Sequence, residues 1–157
     1  MNIEGAILAL DPGTITGWAM YEHGHWFTGT YDLKPRRGDG AGMRFLRLWE
    51  KLDEFMLHHA ISRVVYELPA GHYKSGAADD CIKGIVSHIQ SWCERNKVPC
   101  EGYSPAEIKK FATGKGNAKK EIVFAAAQER WPTISDHNEA DARWLLEMVL
   151  SMKEGAR

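Results

Sequence analysis

The sequence has few cysteines, no long apolar run and almost no net charge. Its three cysteines form no CxxC pair and are odd in number, so we expect free thiols in a cytoplasmic protein rather than a zinc site. No apolar run approaches the roughly 20 residues that span a bilayer, so no membrane contact is predicted. The N-terminus lacks a basic region followed by an apolar segment and a cleavage site, so we expect no signal peptide.

The overall charge gives no sign of nucleic-acid binding, but the local distribution does. The formal net charge is −1. Five lysines and no acid lie between residues 109 and 120, and five basic residues with one Asp lie between 34 and 47. A charge run is often only a solvated face. A near-neutral total can also conceal basic patches that are offset by an acidic site.

Length and periodicity predict one α/β domain over residues 1–157. The chain is long enough for a sizeable core, with 44% apolar and 26% charged residues. Apolar patterns predict strands at 6–11, about 16–22, about 25–32, 63–67 and 100–103. They predict helices at about 42–59, 77–95, 105–112, 118–130 and 136–153. The first three strands are expected to be antiparallel, with a tight turn at His23-Gly24.

Two apolar strands end in a carboxylate. The run at 6–10 stops at Asp11 before Pro12-Gly13, and the later run stops at Glu67 before another Pro and Gly. Asp often only caps a turn, whereas a lone acid at the end of a buried strand suits a metal or phosphate site. A third acid, Asp141, lies early in the last predicted helix between small alanines, which allow close packing on a sheet.

Three neighbouring carboxylates repel one another and need a cation to stay ionised. Oxygen ligands without a Cys or His cluster favour Mg²⁺ or Mn²⁺. Two such ions about 4 Å apart can activate a water and stabilise the leaving oxygen of a phosphodiester. Asn138 precedes Asp141 by about one turn and can share its face. Asp136 is the natural N-cap of this helix and a second candidate ligand.

A lysine-rich loop precedes the fourth predicted helix. Gly-Lys-Gly around Lys115 lets backbone amides approach a phosphate, and the following helix N-terminus favours an anion. Lys119 and Lys120 oppose the helix dipole there, which suggests that an external anion balances them. The candidate DNA contacts in this region are Lys109, Lys115, Asn117, Lys119 and Lys120. The loop after Glu67 adds His72, Tyr73 and Lys74, a mixture suited to base stacking and phosphate contact, or to an ordinary exposed loop.

Several segments together resemble the RuvC-type Holliday-junction resolvases, within the ribonuclease H-like superfamily. They cover nearly the whole chain and follow the family's order. The matching segments are Leu10-Asp11-Pro12-Gly13-Thr14 with Gly17-Trp18-Ala19, Tyr66-Glu67, Ser104-Pro105-Ala106-Glu107-Ile108-Lys109, Gly114-Lys115-Gly116-Asn117-Ala118-Lys119-Lys120 and Ala140-Asp141-Ala142. The short form resembles phage-encoded members, so we expect a protein of the bacterial cytoplasm.

The resemblance implies a five-stranded mixed sheet flanked by helices, a homodimer, and two Mg²⁺ (or Mn²⁺) ions. It implies hydrolysis that nicks symmetric strands of a four-way DNA junction. Asp11, Glu67 and Asp141 carry over as catalytic metal ligands, and Lys109 and Lys120 fall at basic positions near the scissile phosphate. One position departs from the pattern, because many members have Asp where this chain has Asn138. Asp136, His137 or Glu139 are alternative fourth ligands.

Three other functions compete with junction resolution. A related metal nuclease acting on flaps, other branched DNA or RNA hybrids would use the same acids. A sugar-kinase or actin-like ATPase shares an Asp-Gly-Thr type of turn, but this chain is too short for two lobes and lacks a second phosphate turn. A non-catalytic nucleic-acid-binding module of the same fold would explain Asn138 but not the three intact acids.

Overall fold

A computed structural model describes residues 4–71 and 76–155. The strands are β1 (Ala6–Asp11), β2 (Ile15–Glu22), β3 (His25–Asp32), β4 (Ile61–Glu67) and β5 (Cys100–Tyr103). The helices are α1 (Met43–His58), α2 (Ala77–Asn96), α3 (Pro105–Thr113), α4 (Lys120–Arg130) and α5 (His137–Gly155). Every element predicted from the sequence is present, with boundaries that differ by one or two residues at most positions. The predicted contacts His72, Tyr73 and Lys74 lie outside the described residues.

The five strands form one mixed sheet in the order β3-β2-β1-β4-β5. The pairs β1–β2 and β2–β3 are antiparallel, whereas β1–β4 and β4–β5 are parallel. This confirms the expected α/β fold with three antiparallel strands first. β1 lies at the centre and is covered on both faces, which explains its uninterrupted apolar sequence.

Helices cover both faces of the sheet. Alternate residues of β1, such as Leu8 and Leu10, pack under α1 and α2. The intervening residues, Ile7 and Ala9, pack under α3, α4 and α5. The result is a three-layer arrangement with a separate apolar core on each side of the sheet.

Two local signals of the sequence are confirmed in detail. The β2–β3 turn places His23 at φ 48° and Gly24 at φ 86°, as a two-residue hairpin turn requires. At the start of α3, the Ser104 hydroxyl accepts a bond from the Glu107 amide, and the Glu107 carboxylate accepts one from the Ser104 amide. This capping box satisfies two backbone donors that would otherwise be unpaired.

The basic segment 34–47 is only partly an exposed cationic surface, because Lys34, Arg36 and Arg37 are exposed whereas Arg47 is not. Arg47, on α1, is buried. Its guanidinium donates to both carboxylate oxygens of Asp39, at 2.6 and 2.9 Å. These bonds lower the pKa of Asp39 to about 2. The reason for the difference is tertiary, because the loop before α1 folds back and places Asp39 against the helix.

Two expectations from composition can be compared with the structure. Cys81, Cys93 and Cys100 carry free thiols, as expected. In the part of the chain that the structure describes, no helix is both long enough and apolar enough to cross a membrane.

Candidate active site

Adjacent parallel strands bring two of the predicted acids to one edge of the sheet. Leu10 of β1 pairs with Tyr66 of β4, so the next residues, Asp11 and Glu67, end neighbouring strands. Side chains alternate between faces along a strand. Asp11 and Glu67 therefore lie on the face that α3, α4 and α5 cover.

α5 supplies the third acid to the same place. Asp11 and Glu67 line one cavity of about 440 Å³ with Asp141, Asn138, Lys109 and Lys120. The remaining walls come from the β1–β2 turn, the start of α2 and α4, through Pro12, Gly13, Thr14, Ile15, Ala78, Ile82 and Val123. The structure thus brings together Asp11 and Asp141, which are 130 positions apart in the sequence.

A glycine in β2 allows α5 to approach this edge of the sheet. Gly17 pairs with Asp11 across the antiparallel ladder. A Cβ atom at Gly17 would lie 1.9 Å from the backbone oxygen of Asn138. Any larger residue would therefore displace the start of α5, which carries Asn138 and Asp141. Ala140 and Ala142 are completely buried on either side of Asp141, as predicted for close helix packing.

Burial raises the pKa values of all three acids, and repulsion from the neighbouring acids adds to this effect at Asp11 and Glu67. Burial raises the pKa of Asp11 well above its ordinary value, and the charges of Glu67 and Asp141 raise it further. Burial, followed by the charge of Asp141, raises the pKa of Glu67 to about 7. The pKa of Asp141 is raised by burial. Such shifts in a cleft are typical of a functional site, although ion-pair networks can also produce them.

Two lysines partly compensate this negative charge. Lys120 is the first residue of α4, and Lys109 lies on α3. Their positive charges lower the pKa of both Glu67 and Asp141, against the effect of burial. The cavity therefore combines three acids with two cations, a charge arrangement suited to binding metal ions and a phosphate together.

The other predicted DNA contacts that the structure describes do not line the cavity. Lys115, Asn117 and Lys119 are exposed on the α3–α4 connection. Lys119 occupies the N-cap position of α4 and makes no side-chain cap hydrogen bond. Its position at the helix start, beside Lys120, is as predicted.

The structure separates the four candidates for an additional ligand. Asn138 lines the cavity. The carboxylate of Asp136 caps α5, since its Oδ1 accepts bonds from the amides of Asn138 and Glu139 at 2.7 and 3.3 Å. Glu139 accepts a 2.5 Å bond from Thr28 on β3. The His137 ring stacks on Phe124, with ring centroids 4.0 Å apart.

The donor set fits a hard divalent cation. Within residues 4–71 and 76–155, no three His, Cys, Asp or Glu side chains form a ready metal-ligand cluster. Asp11, Glu67 and Asp141 nevertheless share one cavity, and the charges of Glu67 and Asp141 raise the pKa of Asp11, so the carboxylates are close enough to interact electrostatically. A shared cation would replace this repulsion with attraction and draw the carboxylates together. Carboxylate and amide oxygens are the ligands that Mg²⁺ and Mn²⁺ prefer.

Sequence reasoning missed two structural supports of the site. It noted Gly17 only as part of a motif, although glycine within a strand signals close backbone approach. It also missed the hydrogen bond from Thr28 to Glu139, which ties the start of α5 to the edge strand β3. No local pattern signals that bond, because its partners are 111 residues apart.

Comparison with known proteins places the fold. No protein-family model matches the chain, and no curated protein matches its sequence. Among solved structures, a Thermus thermophilus RuvC in complex with a Holliday junction substrate superposes with a TM-score of 0.76 at 17% identity, covering 97% of both chains. A Thermus thermophilus RuvC structure gives 0.68 at 16% identity, covering 94% of this chain and 96% of that one.

A more distant likeness is to the yeast mitochondrial Holliday junction resolvase Ydc2, with a TM-score of 0.55 at 10% identity. This match covers 90% of the present chain and 76% of the yeast protein. The chain therefore has a ribonuclease H-like fold. Within that class, it has the form found in the RuvC-type junction resolvases.

Proposed function

We propose that this protein is a divalent-metal-dependent endonuclease that resolves four-way DNA junctions. The observation that carries the proposal is the meeting of Asp11, Glu67 and Asp141 with Lys109 and Lys120 in one cavity. The fold supports it, because a protein that superposes over 97% of both chains has been solved in complex with a Holliday junction substrate. Fold alone does not define activity, so the proposal depends on the site.

Asp11, Glu67 and Asp141 are the proposed ligands of two Mg²⁺ or Mn²⁺ ions. Bound there, the ions would activate a water and stabilise the leaving oxygen of the phosphodiester. In the reaction, the water oxygen forms a bond to phosphorus while the bond to the leaving oxygen breaks. The carboxylates must be ionised to act as ligands, so the ions also counter the effect that raises their pKa.

Asn138 is the proposed fourth ligand because it lines the cavity. Its side-chain carbonyl can bind a cation but brings no negative charge. The site would then have three carboxylates for two divalent ions, and a net positive charge before DNA binds. A backbone phosphate of the substrate would complete the charge balance.

The lysines have two proposed roles. Lys109 and Lys120 lie inside the cavity and can hold the phosphate at the scissile bond. Lys115, Asn117 and Lys119 are exposed on the adjacent loop, where they can follow the DNA backbone away from the cut. We extend the proposal to His72, Tyr73 and Lys74, which follow Glu67 in the sequence.

The four-way junction is the proposed substrate, and a homodimer the proposed assembly. Paired nicks in symmetric strands need two active sites related by a twofold axis. The cavity around Asp11, Glu67 and Asp141 would be one of these sites. A second copy would supply the other.

A cleavage assay on a labelled synthetic four-way junction tests the proposal. A linear duplex and a flap are incubated in parallel, each with Mg²⁺, Mn²⁺ or chelator. We expect paired symmetric nicks in the junction alone, and no nicks with chelator. Equal cutting of flap and junction would replace the proposal with a broader structure-specific nuclease. If the protein binds the junction but does not cut it with any metal ion, the proposal is wrong and the protein is a non-catalytic nucleic-acid-binding module.

A further inference from the structure

A second polar and aromatic surface lies beside α5, centred on Arg143. Arg143 is only 7% exposed. One of its guanidinium nitrogens donates to Glu147 at 3.3 Å. Its Nε is buried and has no hydrogen-bond partner among the described residues. Buried donors are nearly always paired with an acceptor. This Nε is closed to solvent, so the features open to a ligand are the exposed ring of Trp26 and the positive charge beside it.

Two indole rings enclose this guanidinium. The Arg143 guanidinium carbon lies 3.1 Å from the centre of the Trp26 ring and 4.5 Å from that of Trp131. Trp26 is 37% exposed on the edge strand β3, although it is one of the largest apolar side chains. An exposed aromatic ring held against a buried cation is more typical of a binding surface than of a core.

Two cavities open on either side of Trp26. The first, of about 270 Å³, is lined by Trp26, Thr28, Trp131, Thr133, Ile134 and Arg143. The second, of about 400 Å³, is lined by Tyr21, Trp26, Phe111, Arg130, Glu147, Leu150 and Ser151. Both cavities are large enough for a flat aromatic group of small-ligand size.

The charge of this surface is positive. Arg130 and Arg143 both bond to Glu147, at 2.7 and 3.3 Å, which leaves one positive charge in excess. A simple anion would use that charge but not the rings. An apolar peptide would use the rings but not the positive charge. A nucleotide uses both, because its base stacks on aromatic faces and its acceptors and phosphate bind arginine.

The surface is separate from the candidate active site. Trp26 pairs with Tyr21, and Tyr21 pairs with Ile7 on β1. Ile7 precedes Asp11 by four residues, or about 13 Å at about 3.3 Å per residue. The Trp26 surface is also two strands away from β1.

We propose that the surface formed by Trp26, Arg130, Trp131 and Arg143 binds an unpaired nucleotide of a DNA strand. The choice of DNA over other aromatic anions rests on the proposed function. The contact itself requires neither a metal ion nor cleavage. It would hold a single-stranded segment of a substrate whose scissile phosphate lies in the other cavity.

Binding of a fluorescein-labelled oligothymidylate to the full-length protein, in chelator, tests the proposal. Because Arg143 is buried and its replacement can unfold the protein, the test uses Trp26→Leu and Arg130→Gln. We expect each to weaken binding roughly fivefold or more, since one stacked base contributes about that much. The control is Arg95→Gln, which removes an equally exposed arginine stacked on Trp49 in the opposite helix layer. The control should bind as the parent does.

Two further measurements identify the ligand and separate the two proposals. Oligothymidylate should quench tryptophan fluorescence in the parent, and much less in Trp26→Leu. Polyglutamate and inorganic phosphate should not compete at equal charge concentration. Unchanged binding by Trp26→Leu, equal loss in Arg95→Gln, or competition by either anion would overturn the inference. If no junction is cut but Trp26-dependent oligonucleotide binding is found, the proposed function fails while the nucleotide site stands.

Discussion

At the level of single residues, the candidate site depends on carboxylates that are costly to ionise. Asp11 and Glu67 end neighbouring buried strands, and both have raised pKa values because of burial and of nearby negative charge. Protein interiors disfavour such groupings unless a cation compensates them. Lys109 and Lys120 provide only part of that compensation. The negative charge that these lysines leave uncompensated is the physical reason for expecting divalent ions.

Replacement of Asp11 by Asn separates catalysis from binding. The amide keeps the shape of the side chain but removes a negative ligand, so we expect Asp11→Asn to lose junction cleavage by a factor of about 10³ or more. Junction affinity in chelator should stay within about threefold. Cleavage in single-turnover conditions and a gel-shift titration measure the two effects. Cutting at the parent rate would show that Asp11 has been wrongly assigned to the site.

The exposed lysines of the α3–α4 loop have a different expected effect. Each contact with a phosphate releases bound counterions. A plot of the logarithm of affinity against the logarithm of salt concentration therefore has a negative slope, whose magnitude is about 0.9 per contact. We expect the double change Lys115→Ala and Lys119→Ala to reduce this slope by about 1–2 and to weaken binding of all DNA shapes. Arg95→Ala, in the opposite layer, is the matched control. A slope unchanged in the double variant would place the phosphate contacts elsewhere.

At the level of elements, the site depends on how α5 sits on the sheet. Two contacts hold its first turn, namely the backbone of Asn138 against Gly17 and the hydrogen bond between Thr28 and Glu139. Asp136 adds the N-cap. These contacts fix the position of the α5 backbone relative to the sheet. They therefore determine the direction of the Asp141 side chain.

Gly17→Ala tests this arrangement. The added methyl group cannot fit beside the Asn138 backbone, so the helix start must move. We expect the free energy of unfolding to fall by about 1–3 kcal/mol, as for other overpacked sites. Cleavage should fall by more than junction binding does, because the moved residues are proposed metal ligands. The readouts are denaturant unfolding and single-turnover cleavage.

Gly40→Ala is the control for the glycine change. A Cβ atom at Gly40 would meet nothing within 4 Å, and surface changes of this kind usually stay within about 0.5 kcal/mol. If Gly17→Ala were as stable and as active as Gly40→Ala, the close packing of α5 would not be what positions the site.

At the level of the whole molecule, the buried acids link stability to pH. The pKa of Glu67 is about 7 in the folded protein, compared with an ordinary value of 4.5. Between these values the folded state holds a proton that the unfolded chain has released. Stability therefore falls as pH rises through this window. Three other acids have lowered pKa values, namely Asp39, Glu22 and Glu107. Their contribution to stability is lost as the pH falls through their pKa values in the folded protein.

Thermal unfolding with chelator, as a function of pH, measures this effect. We expect the melting temperature of the parent to fall relative to that of Glu67→Gln as pH rises from about 4.5 to about 7. Mg²⁺ should stabilise the parent above pH 7 and Glu67→Gln much less, because bound ligands stabilise the folded state. If the difference in melting temperature between the two proteins were the same at all pH values, Glu67 would not be a buried ionisable group.

Much of the architecture follows from local pattern. Period-two and period-3.6 apolar spacing predicted the strands and helices, since an element must bury one face or stripe. Turn and cap residues, such as His23-Gly24 and Ser104 with Glu107, specified their own geometry through short-range hydrogen bonds. The position of Asp11 and Glu67 at strand ends was also visible, as was the flanking of Asp141 by alanines.

Tertiary structure alone decided which of these residues meet. The parallel pairing of β1 with β4, and the seating of α5 over Gly17, bring together acids from three distant segments. Arg47 shows the converse, since this member of the basic segment 34–47 is buried and paired with Asp39. Likewise, Arg143 lies between Trp26 and Trp131, although no spacing in the chain relates them. Long-range pairing and burial set these charges, and neither has a local signature.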